Sequence, residues 1–112
     1  MEVEVESEIA REIRAIHEGN YGVGANDVQV HLMGDFVLVA LDIELTNAEQ
    51  TLIDSGRPDA VTGIRESFQQ AISTTFSAIV ERATGRRVIS FVSHMSVEPL
   101  YELEIFRLAP SG

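Results

Sequence analysis

The segment from Leu45 to Ser93 constrains the fold more than any other part of the chain. It opens with a capping box, in which Thr46 at the N-cap is followed three residues later by Glu49. Ser55-Gly56 ends this short helix, and Pro58 suits the first turn of another. The segment therefore predicts two successive helices, the second of which leads into a strand.

The second of these helices is predicted to run unbroken from Pro58 to Thr84, with Gly85 as its C-terminal cap. At 1.5 Å per residue it would be roughly 40 Å long, whereas strands of seven or eight residues reach about 25 Å. We therefore expect it to overhang the sheet, to bend, or to meet another chain. Its apolar positions recur at steps of three and four along one face: Val61, Ile64, Phe68, Ile72, Phe76, Ile79 and Ala83.

An amphipathic helix is also predicted near the start of the chain. Ile9, Ile13 and Ile16 form one apolar stripe, after a run of acidic residues that suits a helix N-terminus. Gly19 is expected to end the helix, and the glycine-rich stretch Gly19–Gly24 to form a loop.

Two strands follow this loop. Val28 to Leu32 alternates apolar and polar residues, which indicates a strand with one solvated face. Gly34-Asp35 predicts a tight hairpin turn of the primed type. Phe36 to Ile43 is apolar at both parities until Asp42, so we expect a central strand covered on both sides by the helices and by a partner subunit.

Two further strands are predicted at Arg87 to Val97 and Tyr101 to Leu108. The third strand is apolar at both parities, which suggests a second central strand. The fourth alternates apolar residues with Glu102 and Glu104, which indicates a strand with its glutamates in solvent. The sequence thus predicts a single α+β domain, residues 1–112 with a core of about 9–108. It would be a two-layer α/β sandwich with a four-stranded, mainly antiparallel sheet in the order α-β-β-α-α-β-β, including one long helix.

Composition excludes several classes of function. The net charge is −10 and all eight basic residues are arginine, which opposes binding to nucleic acids and to anionic membranes. The chain has no cysteine, no apolar run long enough to span a bilayer, and an acidic N-terminus unlike a signal peptide. We expect a cytoplasmic protein without direct membrane insertion.

The histidines and carboxylates do not match the spacing of a known metal-binding or catalytic motif. His17, His31 and His94 share no metal-ligand spacing, although His31 and His94 could approach each other across the sheet, so we predict no metal and no cofactor. A general acid–base pair could come from the strand carboxylates, but we interpret these as solvated charges: Asp42, Glu44, Glu102 and Glu104. A cluster of hydroxyl side chains is interpreted as a polar helix face or a polar seam between helices: Ser73, Thr74, Thr75 and Ser77.

Ligand-binding or partner-binding residues are predicted in two places. Tyr21, Gly22 and Gly24 lie in the glycine loop, which has the reverse order of elements from a dinucleotide-binding fingerprint. Arg86 and Arg87 form the densest positive charge of the chain and follow a helix C-terminus. There their positive charge also interacts favourably with the negative end of the helix dipole. The simpler interpretation of the glycine loop is the end of a helix, and that of the two arginines is local stabilisation of a helix end. We assign no catalytic residue.

Three motifs carry a resemblance to a known family. In order along the chain they are GNYGVGAN after the first helix, LTNAEQTLIDSGRPDAV at the capped helix, and ATGRRVISFVSHMS at the third strand. Together they resemble the MpsC-like family of small bacterial proteins, named for a component associated with a Na+-translocating, membrane-potential-generating system. The resemblance extends from about Ile9 to Leu108 and implies an association with such a system rather than a reaction.

Two hypotheses on function remain open. The first is a non-enzymatic accessory module that forms a homodimer and binds a protein partner at a membrane energy-transducing complex. The alternative is a regulatory domain that binds a small ligand or an anion through Arg86, Arg87 and the Gly19–Gly24 loop.

Overall fold

The computed structural model describes residues 2–110 of the 112-residue chain; Met1, Ser111 and Gly112 of the predicted domain lie outside them. Four helices and one four-stranded antiparallel sheet confirm the α+β class and the predicted order of elements within these residues. The elements are α1 (Glu2–Tyr21), β1 (Ala25–Met33), β2 (Phe36–Ile43), α2 (Asn47–Asp54), α3 (Pro58–Ala71), α4 (Ser73–Thr84), β3 (Val88–Ser96) and β4 (Tyr101–Leu108).

The strand order is β1-β2-β4-β3, with every neighbouring pair antiparallel. β2 is central, as predicted, but the prediction that β3 is the second central strand is wrong, because β4 occupies that place. The apolar residues at both parities of β3 do not reflect two covers, since Ile89 and Val92 are each 51% exposed at the edge of the sheet.

The helices lie on one face of the sheet, with α1 packed against β1 and α4, and α3 packed against β3. Ile9 and Ile13 of α1 are fully buried, which confirms the main part of the predicted stripe. α1 continues past Gly19 to Tyr21, so the predicted helix end is two residues early. Gly22, with φ at 73°, provides the left-handed residue that follows the helix.

The predicted long helix is interrupted at Ile72, whose backbone (φ −102°, ψ 19°) separates α3 from α4. The buried stripe keeps its helical phase across this break, since Gln69 and Phe76 are seven residues, or about two turns, apart. In α4 the prediction is confirmed, because Phe76 is 1% exposed. In α3 it is confirmed for Val61 (1%) but wrong for Ile64 (64%) and Phe68 (39%). α3 instead buries a partly polar stripe: Val61, Arg65 and Gln69.

The local signals for turns and caps are confirmed. Thr46 and Glu49 form both hydrogen bonds of the capping box, at 2.8 and 3.2 Å. Gly34 has φ at 59°, as the first central residue of a primed hairpin turn requires. Gly85 ends α4 in the left-handed conformation. These signals hold because each depends only on residues adjacent in the chain.

Candidate functional site

A cluster of buried polar side chains lies between α3 and the central strand β4. Glu102 (1% exposed) and Glu104 (0%) point toward the helices, opposite Arg65 (1%) and Gln69 (2%). The interpretation of these two glutamates as solvated charges is therefore wrong. Phe106 and Leu108 at the same parity of β4 are also buried, and they fix which side of the strand faces the helices. The Arg65 cluster, as we call it, comprises Tyr21, Glu49, Arg65, Gln69, Glu102 and Glu104.

Arg65 is the centre of this cluster and connects three elements. Its Nη1 donates to Glu102 Oε1 at 2.8 Å, while Nε and Nη2 donate to the two carboxylate oxygens of Glu49 at 2.6 and 2.7 Å. The ring of Tyr21 covers the guanidinium at 4.0 Å, and Nη2 also donates to the carbonyl of Glu44 at 3.2 Å. The ion pairs thus hold α2 and α3 onto β4, and Glu49 serves the helix cap and the cluster together.

Gln69 extends the cluster toward the N-terminal helix and along β4. Its Oε1 accepts a hydrogen bond from the Tyr21 hydroxyl at 3.2 Å, and its Nε2 donates to Glu104 Oε1 at 3.0 Å. Ser93 donates to the same Glu104 oxygen at 3.1 Å from β3. Glu104 Oε2 has no hydrogen-bond partner within residues 2–110, and neither ring nitrogen of the buried His17 has one there.

Burial and hydrogen bonding shift the pKa values of the residues in and beside the cluster in different directions. Burial would raise the pKa of Glu49, but hydrogen bonds from Arg65 and from the Thr46 backbone lower it below its ordinary value. Burial raises the pKa of Glu102 despite its hydrogen bond with Arg65. Burial raises the pKa of Glu104 to about 8, and lowers that of His17 to about 4 with help from the positive charge of Arg65. At neutral pH, Glu104 and His17 are therefore uncharged.

Stability should consequently fall with rising pH because of Glu104. Its folded pKa of about 8 lies above an ordinary value of 4.5, so the folded state holds a proton that the unfolded state has released. The contribution is complete below pH 4.5 and is lost as pH rises through 8. The groups that face this carboxyl are Gln69, Ser93, Glu66 and Glu102. We expect Glu104→Gln to gain on the order of 2 kcal/mol over the wild type between pH 6.5 and 9.

Urea unfolding at several pH values checks this expectation. The lowered pKa of His17 contributes the same pH dependence to the wild type and to Glu104→Gln, so it cancels from the difference between them. Glu44→Gln, at an exposed side chain, is the matched control and should show a constant difference from the wild type. A Glu104→Gln variant that keeps the wild-type pH dependence would contradict the assignment.

The second feature is the side of the sheet that the helices leave uncovered. Its centre is apolar, because Leu38 on β2 lies beside Ile105 on β4, which lies beside Val92 on β3. Met33 and Phe36 extend the apolar surface toward the hairpin turn and are 53% and 39% exposed. The open face, as we call it, comprises alternate strand residues: Asp27, Gln29, His31, Met33, Phe36, Leu38, Ala40, Asp42, Ser90, Val92, His94, Ser96, Tyr101, Leu103, Ile105 and Arg107.

The five residues predicted for ligand or partner binding do not meet. Tyr21 belongs to the Arg65 cluster, while Gly22 and Gly24 form the turn that leads into β1. Arg86 and Arg87 lie near the opposite end of that strand, roughly 30 Å away. The two halves of the alternative site are therefore separated by the length of the sheet.

Arg86 also has protein partners of its own. It donates to Asp35 Oδ1 at 2.6 Å, to the Ala109 carbonyl at 2.7 Å and to the Gly34 carbonyl at 3.2 Å. It thereby fastens the hairpin turn to the end of β4, which is a structural role. Arg87 is exposed near the same end of the sheet.

The histidines do not form a metal site. His31 and His94 share the open face, as expected, but they occupy opposite edge strands, roughly 14 Å apart across three strand spacings. Within residues 2–110, no group of three or more histidine or acidic side chains is arranged to hold a metal ion.

A groove of about 830 Å³ lies between α1 and α4. It is lined mainly by small residues, among them Ala15, Thr75 and Ala78, so the Ser/Thr cluster does border a seam between helices. Glu12 and Arg82 in its wall form an ion pair with each other at 2.8 Å. The groove is concave enough to hold a ligand, but its lining side chains do not form a recognisable catalytic set.

The Arg65 cluster was missed because its members look like surface residues in the sequence. A signal existed in the spacing, since Arg65 and Gln69 share a helix face four residues apart, while Glu102 and Glu104 share a strand face two residues apart. The two pairs have complementary hydrogen-bonding groups.

Comparison with known proteins gives a match to one family. The family model described as "Na+-translocating membrane potential-generating system (MpsC)" matches residues 2–110, which include every helix and strand. No curated protein and no solved structure matches significantly. None of the helices in residues 2–110 is long and apolar enough to cross a membrane.

Proposed function

The chain belongs to the MpsC family, and we propose that it is a non-enzymatic interaction module that forms a homodimer through the open face of its sheet. The family description names a Na+-translocating membrane potential-generating system. We extend the proposal to a protein partner at a membrane complex of that kind. A cytoplasmic position beside the complex, without insertion, accords with a net charge of −10, which opposes contact with anionic lipid.

The observation that carries the proposal is the inverted polarity of β4. This strand buries two glutamates beneath the helices, yet turns Leu103 and Ile105 to the side that has no cover within the described chain. A solvated sheet face ordinarily carries the polar residues of such an alternation. The arrangement is explained if the open face is also buried, against a second copy.

The area of the open face is large enough for an interface with a second copy of the chain. Four strands about 4.8 Å apart and about eight residues long present an area on the order of 500 Å². Two such faces bury about 1,000 Å² in total, which reaches the lower range of specific protein interfaces. Two sheets stacked about 10 Å apart would resemble the interior of a β-sandwich.

The edges of the sheet are less suited to self-association than its face. On β3, the backbone N–H groups of Val88 and Met95 donate to Glu81 and Glu66 of the helical layer, each at 2.8 Å. On β1, the N–H of Leu32 donates to Glu6 at 3.0 Å. These carboxylates occupy backbone donors that an added strand would need, and such protection disfavours edge-to-edge pairing.

The position of the carboxylates supports a role without catalysis. Glu102 and Glu104 are neighbouring acids with raised pKa values, but both are at most 1% exposed and are bound to side chains of the fold. A substrate in solution would not reach them without opening the packing between α3 and β4.

The test places a charge in the centre of the open face. We expect Ile105→Arg to convert the dimer to a monomer in sedimentation velocity at tens of micromolar, because two buried guanidinium groups would face each other without partners. Val92→Arg, at a 51% exposed edge position, should do the same with less risk to folding.

Ile64→Arg is the matched control, since it makes the same change at an isoleucine that is 64% exposed on the helical layer. It should leave the dimer intact. Circular dichroism melting identifies any variant that fails to fold. A folded Val92→Arg protein with the wild-type dimer constant would overturn the proposed interface.

A further inference from the structure

The charges of the open face lie at its two ends. The acidic and arginine side chains of this face, within the described residues, are Asp27, Asp42 and Arg107. Arg107 is next to Phe36 across β2 and β4, whereas Asp42 is six residues further along β2, which is roughly 20 Å away. Asp27 is the direct neighbour of Asp42 on β1. The face therefore has an acidic end, an apolar centre and a basic end.

The surroundings strengthen this polarity. The basic end also holds the exposed Arg87, while the charge of Arg86 there is offset by its ion pair with Asp35 at 2.6 Å. Arg107 is held on the face by its contact with Phe36, whose ring lies 4.8 Å from the guanidinium carbon. Asp27 and Asp42 are exposed and point to the same side.

From this distribution we propose that two copies stack with their sheets end-swapped, so that Arg107 of each copy faces Asp42 and Asp27 of the other. The inference rests on the proposed homodimer and adds the orientation of its partner. A two-fold axis that lies between the sheets and runs across the strands brings unlike ends together at two equivalent places. An axis along the strands would instead set Arg107 against Arg107 and the aspartates against aspartates, which is unfavourable.

Charge reversal tests the orientation. We expect Arg107→Glu to raise the dimer dissociation constant about tenfold or more, because it replaces attraction by repulsion at both symmetric contacts. Asp42→Arg should weaken the dimer as well. This second result is diagnostic, since the change reduces the net negative charge and would strengthen association if only overall repulsion mattered.

The double variant Arg107→Glu/Asp42→Arg should recover the wild-type dissociation constant to within about threefold, since each reversed charge again meets an opposite one. The controls are Arg14→Glu and Asp54→Arg, which make the same charge changes on exposed helical positions and should have little effect. All constants are measured by sedimentation equilibrium at one salt concentration.

The outcomes separate the two proposals. A wild-type chain that is monomeric at tens of micromolar removes the homodimer itself. A wild-type dimer that is unaffected or strengthened by Arg107→Glu keeps the homodimer but overturns the end-swapped orientation. Weakening by both single changes without recovery in the double variant also contradicts the proposed pairing.

Discussion

Replacement of Arg65 by methionine is expected to lower the free energy of unfolding by about 3–5 kcal/mol. Methionine keeps much of the apolar stem but removes the positive charge. Glu102, which is 1% exposed, would then be buried without its cation, and Glu49 would lose both hydrogen bonds from Arg65. The large cost comes from the carboxylates left behind rather than from the strength of the original pairs.

Urea unfolding of both proteins at one chain concentration measures this loss, since the stability of a dimer depends on concentration. Arg82→Met is the matched control, because Arg82 also pairs with a glutamate at 2.8 Å, but its side chain is 61% exposed. Its loss should stay below about 1 kcal/mol. Equal losses in the two variants would show that the Arg65 cluster is not buried as described.

A second large effect is expected for Phe76→Ala, which should cost about 3–5 kcal/mol. The ring of Phe76 is 1% exposed and stacks on Phe91 at a centroid distance of 6.1 Å, so truncation leaves a cavity in the core. Phe68→Ala is the comparison, since Phe68 is 39% exposed and lies edge-on to the Tyr21 ring at a centroid distance of 5.8 Å. Its loss should be about 1 kcal/mol.

The same unfolding measurement, made at one pH for both variants, gives the ratio of the two losses. Because the two phenylalanines are eight residues apart, or about 80° around a helix, that ratio reports which faces of α3 and α4 are buried. Comparable losses would favour the apolar stripe predicted from the sequence and would contradict the burial of Arg65 and Gln69 in place of Phe68.

Much of the fold follows from signals that act over a few residues. The cap at Thr46, the turn at Gly34 and the stop at Gly85 each depend on the conformational preference of one residue and its neighbours. The alternation in β1 and the apolar character of β2 then indicate a sheet with at least one covered side. These features sufficed for the fold class and the order of elements.

The Arg65 cluster could not be predicted in the same way, because binary patterning assigns arginine and glutamate to the surface. Burial of Arg65 and Glu102 is tolerable only when both are buried together, and they are 37 residues apart in the chain. The buried face of α3 was predicted wrongly for a related reason. Ile64 and Phe68 continue an apolar helical period, and only tertiary contacts show that α3 turns a different face inward.

The orientation of β4 was also predicted wrongly, and the proposed function rests on that orientation. Its apolar residues were expected to face the helices, yet Leu103 and Ile105 face the other way and Glu102 and Glu104 lie inside. In a monomer this orientation would leave Leu103 and Ile105 of a central strand only half-buried. In a stacked dimer both sides of β4 are buried, and the polar side is satisfied by Arg65 and Gln69.

The mass of the wild-type protein in solution tests the central claim most directly. Light scattering coupled to size-exclusion chromatography gives that mass independently of molecular shape. At tens of micromolar we expect twice the chain mass of 12.3 kDa, with dissociation on dilution and in the Val92→Arg variant. A mass of 12.3 kDa at that concentration would contradict the homodimer, and the open face would then have no second copy to cover it.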